Sequence, residues 1–410
     1  MKRIVLIIIT LLTVLSTTVC FAIDDELSEP VEKNILFIGN SKTYYNNMPR
    51  FFYNLVTKSP MNIKLNYYAI TWEAGGIAAN HLPNIKNVIE NDGNVTGTIP
   101  KFYRDNLYKD GNRIHFDYIV LQLGNVISSS TFEYNADADL RMRAATVETV
   151  KLLSSKDTVV VINSIYFRWL DGSDSFSIKR NKLKQWQEII DESSLNIKKA
   201  ILLDPNTKYK EVKVSPTGWA FVNYMFDHTT SKYFLNNGKY VSDIAYNDLF
   251  IGDGQTKHNH PTRVGTYLIA STLYSTIFNE SPEGIEFYGK IGAALTAVNS
   301  EGTALIEGYN KENEKLNQTV VTAMQKLGAK TALENYNIPD RLKDRNYLRG
   351  DLDDSKKIDI IDVRLLLQKY ISSDSNKEYS LDERIIMDMD LNGTIDITDV
   401  RLLLQKYINN

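Results

Sequence analysis

The chain has 410 residues, enough for roughly two to three domains, and 43% of them are hydrophobic, which supplies a sizeable core. A formal charge of −3 offers no basic field for nucleic acid. A single cysteine excludes a disulfide framework, and the 24 tyrosines suit either an ordinary core or a carbohydrate-facing surface.

The first residues, Lys2-Arg3, then an apolar run from Ile4 to Val19, then Cys20-Phe21-Ala22, have the order of a secretory signal over residues 1–22. The run is too short and too rich in Thr and Ser for a membrane span. Cleavage after Ala22 leaves no cysteine and takes the net charge from −3 to −5, because Lys2 and Arg3 are lost. The expected product is a secreted, extracellular protein that leans on core size and metal rather than disulfides. Acylation of Cys20 is the alternative.

From about residue 31 to 333, short aliphatic runs alternate with longer amphipathic stretches. Strands are expected at 35–38, 62–70, 117–123, 159–162 and 200–203. Helices are expected at 49–58, 138–153, 177–191 and 262–278, with two more helical segments before about 333. The stretch 205–253 reads as an irregular insertion. This alternation argues for an α/β fold, a parallel sheet with helices on both faces in three layers. A polar linker follows at 334–346.

Two short segments carry chemistry. Ile35-Leu36-Phe37-Ile38-Gly39-Asn40-Ser41 places a serine just after the first strand, at the carboxyl edge of the sheet where open α/β folds hold their sites. Gly39 allows a tight turn, and Ser41 is either a nucleophile or an ordinary helix N-cap. Far along the chain, Asp253-Gly-Gln-Thr-Lys257-His258-Asn-His260-Pro261 runs into an amphipathic helix. His260 at a helix start is placed to act as general base toward a serine, Asp253 could orient its ring, and His258 reads as a surface loop residue.

These segments resemble the SGNH (GDSL-like) hydrolases. Gly39-Asn40-Ser41 is similar to their first block, with Asn for the commoner Asp, and His260-Pro261 followed by Gly265 to their last. The resemblance implies a flavodoxin-like fold with catalytic Ser41, His260 and Asp253. It implies an oxyanion hole of Ser41, Gly76 (from Glu73-Ala74-Gly75-Gly76, Gly75 being the alternative) and Asn125 (from Gln122-Leu-Gly124-Asn125, Gln122 being a rival). One departure is Lys257, where the family usually has Asp three residues before the His. No cofactor is implied for catalysis.

The last sixty residues contain a repeat. Asp362–Ile371 recurs unchanged as Asp399–Ile408, and each copy closes an acidic loop. The candidate ligands are Asp351, Asp353, Ser355, Lys357 (through its carbonyl), Asp359 and Asp362 in the first loop. In the second they are Asp388, Asp390, Asn392, Thr394 (carbonyl), Asp396 and Asp399. Oxygens at this alternation suit Ca²⁺, one ion per loop. Behind each loop, Val363, Leu366, Leu367 and Tyr370, and their twins Val400, Leu403, Leu404 and Tyr407, fall on one helical face. Lys356 stands where Gly393 makes the sharp turn of the second loop, so the first site is expected to bind more weakly.

Residues 347–410 resemble a type I-like dockerin. That resemblance implies two structural Ca²⁺ ions and docking to a cohesin domain of a scaffoldin through Ile360, Ile361, Ile397 and Thr398. Together with the hydrolase-like segments it implies a cellulosomal esterase acting on plant polysaccharide, with no membrane partner after signal removal. The competing expectation is a non-catalytic carbohydrate-binding or structural cargo.

Overall fold

Four consecutive aliphatic and aromatic residues, Ile35 to Ile38, are at most 1% exposed. The computed structural model describes residues 29–72, 76–124, 126–127, 133–166, 169–170, 176–228, 249–252, 257–286, 296–298, 304–306, 318–372 and 378–409. The candidate signal, Asp253 and Asn125 lie outside them.

Strands β1 (Val31–Gly39), β2 (Ile63–Thr71), β3 (Tyr118–Gln122), β4 (Val159–Asn163) and β5 (Glu211–Ser215) make a sheet in the order β2-β1-β3-β4-β5. The pairs β1–β3, β3–β4 and β4–β5 are parallel, with Leu36 opposite Ile119 and Val120 opposite Val161. Strands covered on both faces read as unbroken apolar runs rather than alternating ones.

Successive side chains enter two different cores. Ile35, Phe37, Val120 and Val161 pack on one face against α2 (Met48–Lys58), α7 (Thr217–His228), α8 (Arg263–Phe278) and α9 (Gln318–Glu334). Leu36, Ile38, Ile119, Leu121, Val160 and Ile162 pack on the other. There they meet α3 (Leu82–Glu90), α4 (Thr98–Leu107), α5 (Ala136–Leu153) and α6 (Phe176–Leu203). The protein is thus an α/β fold with a parallel central sheet flanked by helices. A fully buried Phe or Leu contributes about 1.5–3 kcal/mol, so this double-sided core is the main source of stability.

Two expectations are corrected. Residues 200–203 are not a strand but the last turn of α6, whose Ile197 and Ile201, one helical turn apart, share the second core. A four-residue apolar run has no period of its own and follows the element it extends. The missing strand is β5, inside the stretch that looked irregular; its alternation of Val212 and Val214 with charged residues marks an edge strand. Between α8 and α9 the described residues include a short antiparallel pair, Thr296–Val298 with Ala304–Ile306, and α9 is one of the two helical segments expected there.

The expected linker is docked rather than free. Leu342 and Ile338 bury against Trp219, and the Asp344 carboxylate accepts from the Val214 backbone N–H at 2.9 Å and from Lys198 Nζ at 2.6 Å. The side chain of Asp344 thereby caps a donor on the open edge of β5. Beyond it lie α10 (Ile360–Ser372), α11 (Leu381–Met387) and α12 (Ile397–Asn409). Val363, Leu366, Met387, Val400 and Leu403 form their small core. Leu367 and Leu404 were expected there, but at 36% and 37% exposure they face outward. Two crossing helices share only a narrow stripe, which the positions i and i+3 already fill.

This C-terminal module joins the larger body through α11. Ile385 enters the second core beside Ile201 and Leu202, and Lys199 pairs with Asp382 at 2.6 Å. Arg349 donates to Leu202 O at 2.7 Å and also to the carbonyl of Asp388. Residues Glu32 to Asn410 form one compact unit.

Candidate functional site

The last residue of β1 must be Gly39, because a Cβ there would lie 2.2 Å from Thr43 Oγ1 and 2.9 Å from Gln122 Oε1. Asn40 is extended (φ −120°, ψ −154°), and its side chain accepts from the Lys42 N–H, so Asn40 and not Ser41 is the N-cap of α1 (Ser41–Tyr44). Ser41 is the first helical residue and is 8% exposed. Gln122 braces the turn from β3: its Oε1 accepts from the Asn40 N–H and from Thr43 Oγ1, both at 3.0 Å, while its Nε2 donates to Leu123 O. Gln122, the rival oxyanion donor, therefore has a bracing role here.

A second support was not foreseen from the sequence. Buried His81 lies 3.0 Å by Nε2 from Gly39 O and 2.9 Å by Nδ1 from Tyr103 Oη. A carbonyl only accepts, so Nε2 carries the proton and Nδ1 receives the Tyr103 hydroxyl. Burial pulls the His81 pKa down to about 4, against a smaller opposing effect of the Gly39 hydrogen bond. His81 is thus neutral in the folded state. Because its folded pKa lies below the unfolded value, the stabilisation is full above about pH 6.5 and is lost as pH falls toward 4, by about 3 kcal/mol in all. The pH dependence of urea unfolding should flatten over that window in His81→Gln. An unchanged slope would contradict this assignment.

The strand β6 (Lys257–Pro261) pairs with Phe250–Gly252, and its register shifts between His258 and His260. It carries His260 to the start of α8, where Thr262 caps by accepting from the Gly265 N–H. The Thr262 N–H donates to Leu249 O at 2.8 Å. A Cβ on Gly265 would lie 2.4 Å from that same carbonyl, which is backbone and cannot swing away. This explains the Gly five residues after the His. Gly265→Ala should cost about 1–3 kcal/mol, read as a lower midpoint in urea.

The helix α1 lies against β6, so the structure brings the Ser41 turn and the His260 strand together. The Tyr45 ring stacks on the His260 ring at 4.2 Å with 3° between planes. Asn46 Nδ2 donates to Pro261 O at 2.8 Å and to Thr266 Oγ1 at 3.0 Å. Lys42, buried, donates to Tyr166 O at 2.6 Å. The pair Asn46-Asn47 was the available sequence signal for this turn, since Asn tolerates the left-handed backbone both adopt (φ 60° and 54°).

Gly76 is extended and lies beside Gly124, but its N–H donates to Asn80 Oδ1 at 3.1 Å. In this structure that candidate oxyanion donor is engaged. Asp253, Asn125 and Gly75 are outside the described residues.

The two acidic loops repeat each other in the bonds from backbone N–H groups to their buried carboxylates. Asp362 accepts from the N–H groups of Leu352 and Asp359, and Asp399 from those of Met389 and Asp396. Asp351 accepts from Ser355 and Lys356 as Asp388 does from Asn392 and Gly393. Carboxylate oxygens of Asp351, Asp353 and Asp362 converge within 4.8 Å, and so do those of Asp388, Asp390 and Asp399. Asp362 and Asp399 are fully buried, and burial raises the pKa of Asp388 and Asp399. Asp359 and Asp396 instead accept from the Ile361 and Thr398 N–H groups, capping α10 and α12. Ser355 Oγ donates to the Lys357 carbonyl, and Asn392 Oδ1 accepts from Thr394. Lys356 and Gly393 share a left-handed backbone (φ 67° and 90°), which explains the preference for Gly at that position. Ile360, Ile361 and Ile397 are exposed.

A cavity of 140 Å³ lies elsewhere, between β5, the end of α8 and residues 332–346.

No described protein family and no curated protein matches this chain by sequence. Among solved structures the chain aligns with a DUF4886 family protein from Bacteroides uniformis, at 15% identity and a TM-score of 0.41, over 74% of this chain and 96% of that one.

Proposed function

We propose that the chain is a serine esterase of SGNH type, with a flavodoxin-like sheet, that removes acyl groups from plant cell wall polysaccharide. The observation that carries this reading is the apposition of the Asn40–Ser41 turn and the His260 strand at the carboxyl edge of the sheet. Ser41 Oγ attacks the ester carbonyl while His260 takes its proton, and the leaving sugar hydroxyl receives that proton back. Water, activated by the same imidazole, then releases the acid and restores Ser41. The Ser41 N–H holds the oxyanion, joined by Gly76 once its N–H leaves Asn80, with Asn125 as the side-chain donor. Each such donor is worth about 10²–10³ in rate.

The C-terminal module is read as a dockerin that holds two Ca²⁺ ions and binds a scaffoldin cohesin, in a secreted, cellulosome-associated enzyme. The residues fit the metal: buried carboxylates without a neutralising ion are costly, and an all-oxygen donor set suits a hard dication. Bound there, calcium supplies charge neutralisation for the loops. Acetyl groups on xylan are the leading substrate, and feruloyl or pectin acetyl esters are the alternatives within the same chemistry. Acetate release from acetylated xylan tests the reading; background release from wild type across a panel of acylated polysaccharides rejects it.

A second reading, a non-catalytic carbohydrate-binding cargo, is favoured by the engaged Gly76 N–H. Binding of deacetylated and acetylated xylan with equal affinity and no turnover would support it.

A further inference from the structure

We infer that Tyr45 and Asn46 are positioning residues that hold His260 in register with Ser41; this rests on the esterase reading above. Tyr45 closes α1, and its backbone N–H donates to the Ser41 carbonyl at 2.8 Å. Its ring lies flat on the His260 imidazole at 4.2 Å. One residue thus ties the nucleophile by its main chain and the base by its side chain. Asn46, 6% exposed, grips the next residue along β6 by donating to Pro261 O and to Thr266 Oγ1.

The backbone reversal after α1 builds this clamp. Asn46 and Asn47 both take the left-handed backbone, a conformation costly for ordinary residues and kept where the surroundings impose it. The reversal turns the chain so that Tyr45 faces His260, Asn46 faces Pro261, and Asn47 caps α2 by accepting from the Arg50 N–H. A parallel stack restrains the imidazole plane. The aromatic face also favours the positive charge that the ring gains when it takes the Ser41 proton. Charged groups near the clamp are Lys42, tied to Tyr166 O, Arg50, which lies over the Tyr53 ring, and buried Arg263 at the start of α8. A restraint on the base matters most in the transition state, so its loss appears in kcat.

The test compares wild type, Tyr45→Phe and Tyr45→Leu. Tyr45→Leu should lower kcat on an aryl acetate by about 10- to 100-fold with KM nearly unchanged, because small misplacements of a catalytic group cost about this much. Tyr45→Phe, which keeps the ring, should restore kcat to within about threefold. Wild-type kcat in Tyr45→Leu overturns the inference, and so does a Phe variant as impaired as Leu. Proton NMR of the wild type needs no variant and no turnover: the His260 ring protons should resonate upfield, shielded by the Tyr45 face. Ordinary shifts overturn the stack. If wild type turns over no ester and a fluorophosphonate does not label Ser41, the esterase reading fails while the NMR result still decides the stack.

Discussion

Chelating calcium should unfold the C-terminal module and leave the α/β body folded. The helices α10 and α12 begin on carboxylates that point back into their loops, and Asp362 and Asp399 are fully buried there. Without a dication these charges repel one another in a poorly solvated space, and the small core of Val363, Leu366, Val400 and Leu403 cannot offset that cost. Calcium at about a thousand times its dissociation constant stabilises the folded form by about 4 kcal/mol, comparable to the stability of a module this size. Far-UV circular dichroism should lose helical signal in EDTA and regain it with calcium. An identical spectrum in both conditions would show that the loops fold without metal. The loss should also expose Ile385, which lies in the core of the larger body, so protease cleavage near residues 334–349 should rise in EDTA. Lys356→Gly should tighten the first site, because it relieves the left-handed backbone at that position by about 1 kcal/mol. Isothermal titration of the two sites would read the difference.

Replacing Ser41 by Ala should reduce ester hydrolysis by about 10⁴–10⁶-fold, or about 5–8 kcal/mol of barrier. The fold should not change. The cap of α1 is Asn40, the turn is braced by Gln122 and His81, and the Ser41 hydroxyl takes no part in either support. Thermal unfolding of Ser41→Ala should therefore stay within about 0.5 kcal/mol of wild type. Wild-type activity in the variant would remove Ser41 from the mechanism. A large loss of stability would instead make Ser41 a structural residue of the turn.

The sheet was legible where burial on both faces leaves a continuous apolar run, as at Ile35–Ile38 and Val159–Ile162. It was not legible at the edge. Strand β5 alternates Val with charged residues because only Val212 and Val214 enter the core, while its open edge is covered by Asp344, a cover invisible in sequence. Residues 200–203 misled for the opposite reason: an apolar run too short to show its period belonged to the helix before it. At the candidate site, Ser41 and His260 stood out through residue type and spacing. His81, Tyr45 and Asn46 did not, since their roles depend on which carbonyl or ring they meet.

What the sequence determined by itself was local and chemical: the apolar strand ahead of Gly39-Asn40-Ser41, the His260–Gly265 spacing, and the duplicated acidic loops with their helices. Each depends on residues close in the chain, whose geometry follows from backbone rules alone. Only the tertiary structure decided that the Ser41 turn meets the His260 strand some 220 residues later, through Asn46 and Thr266. It also set His81 under the Gly39 carbonyl and joined the C-terminal module to the body through Ile385 and Arg349. Such contacts form where separate elements bury a shared surface, and no spacing along the chain encodes which surfaces those will be.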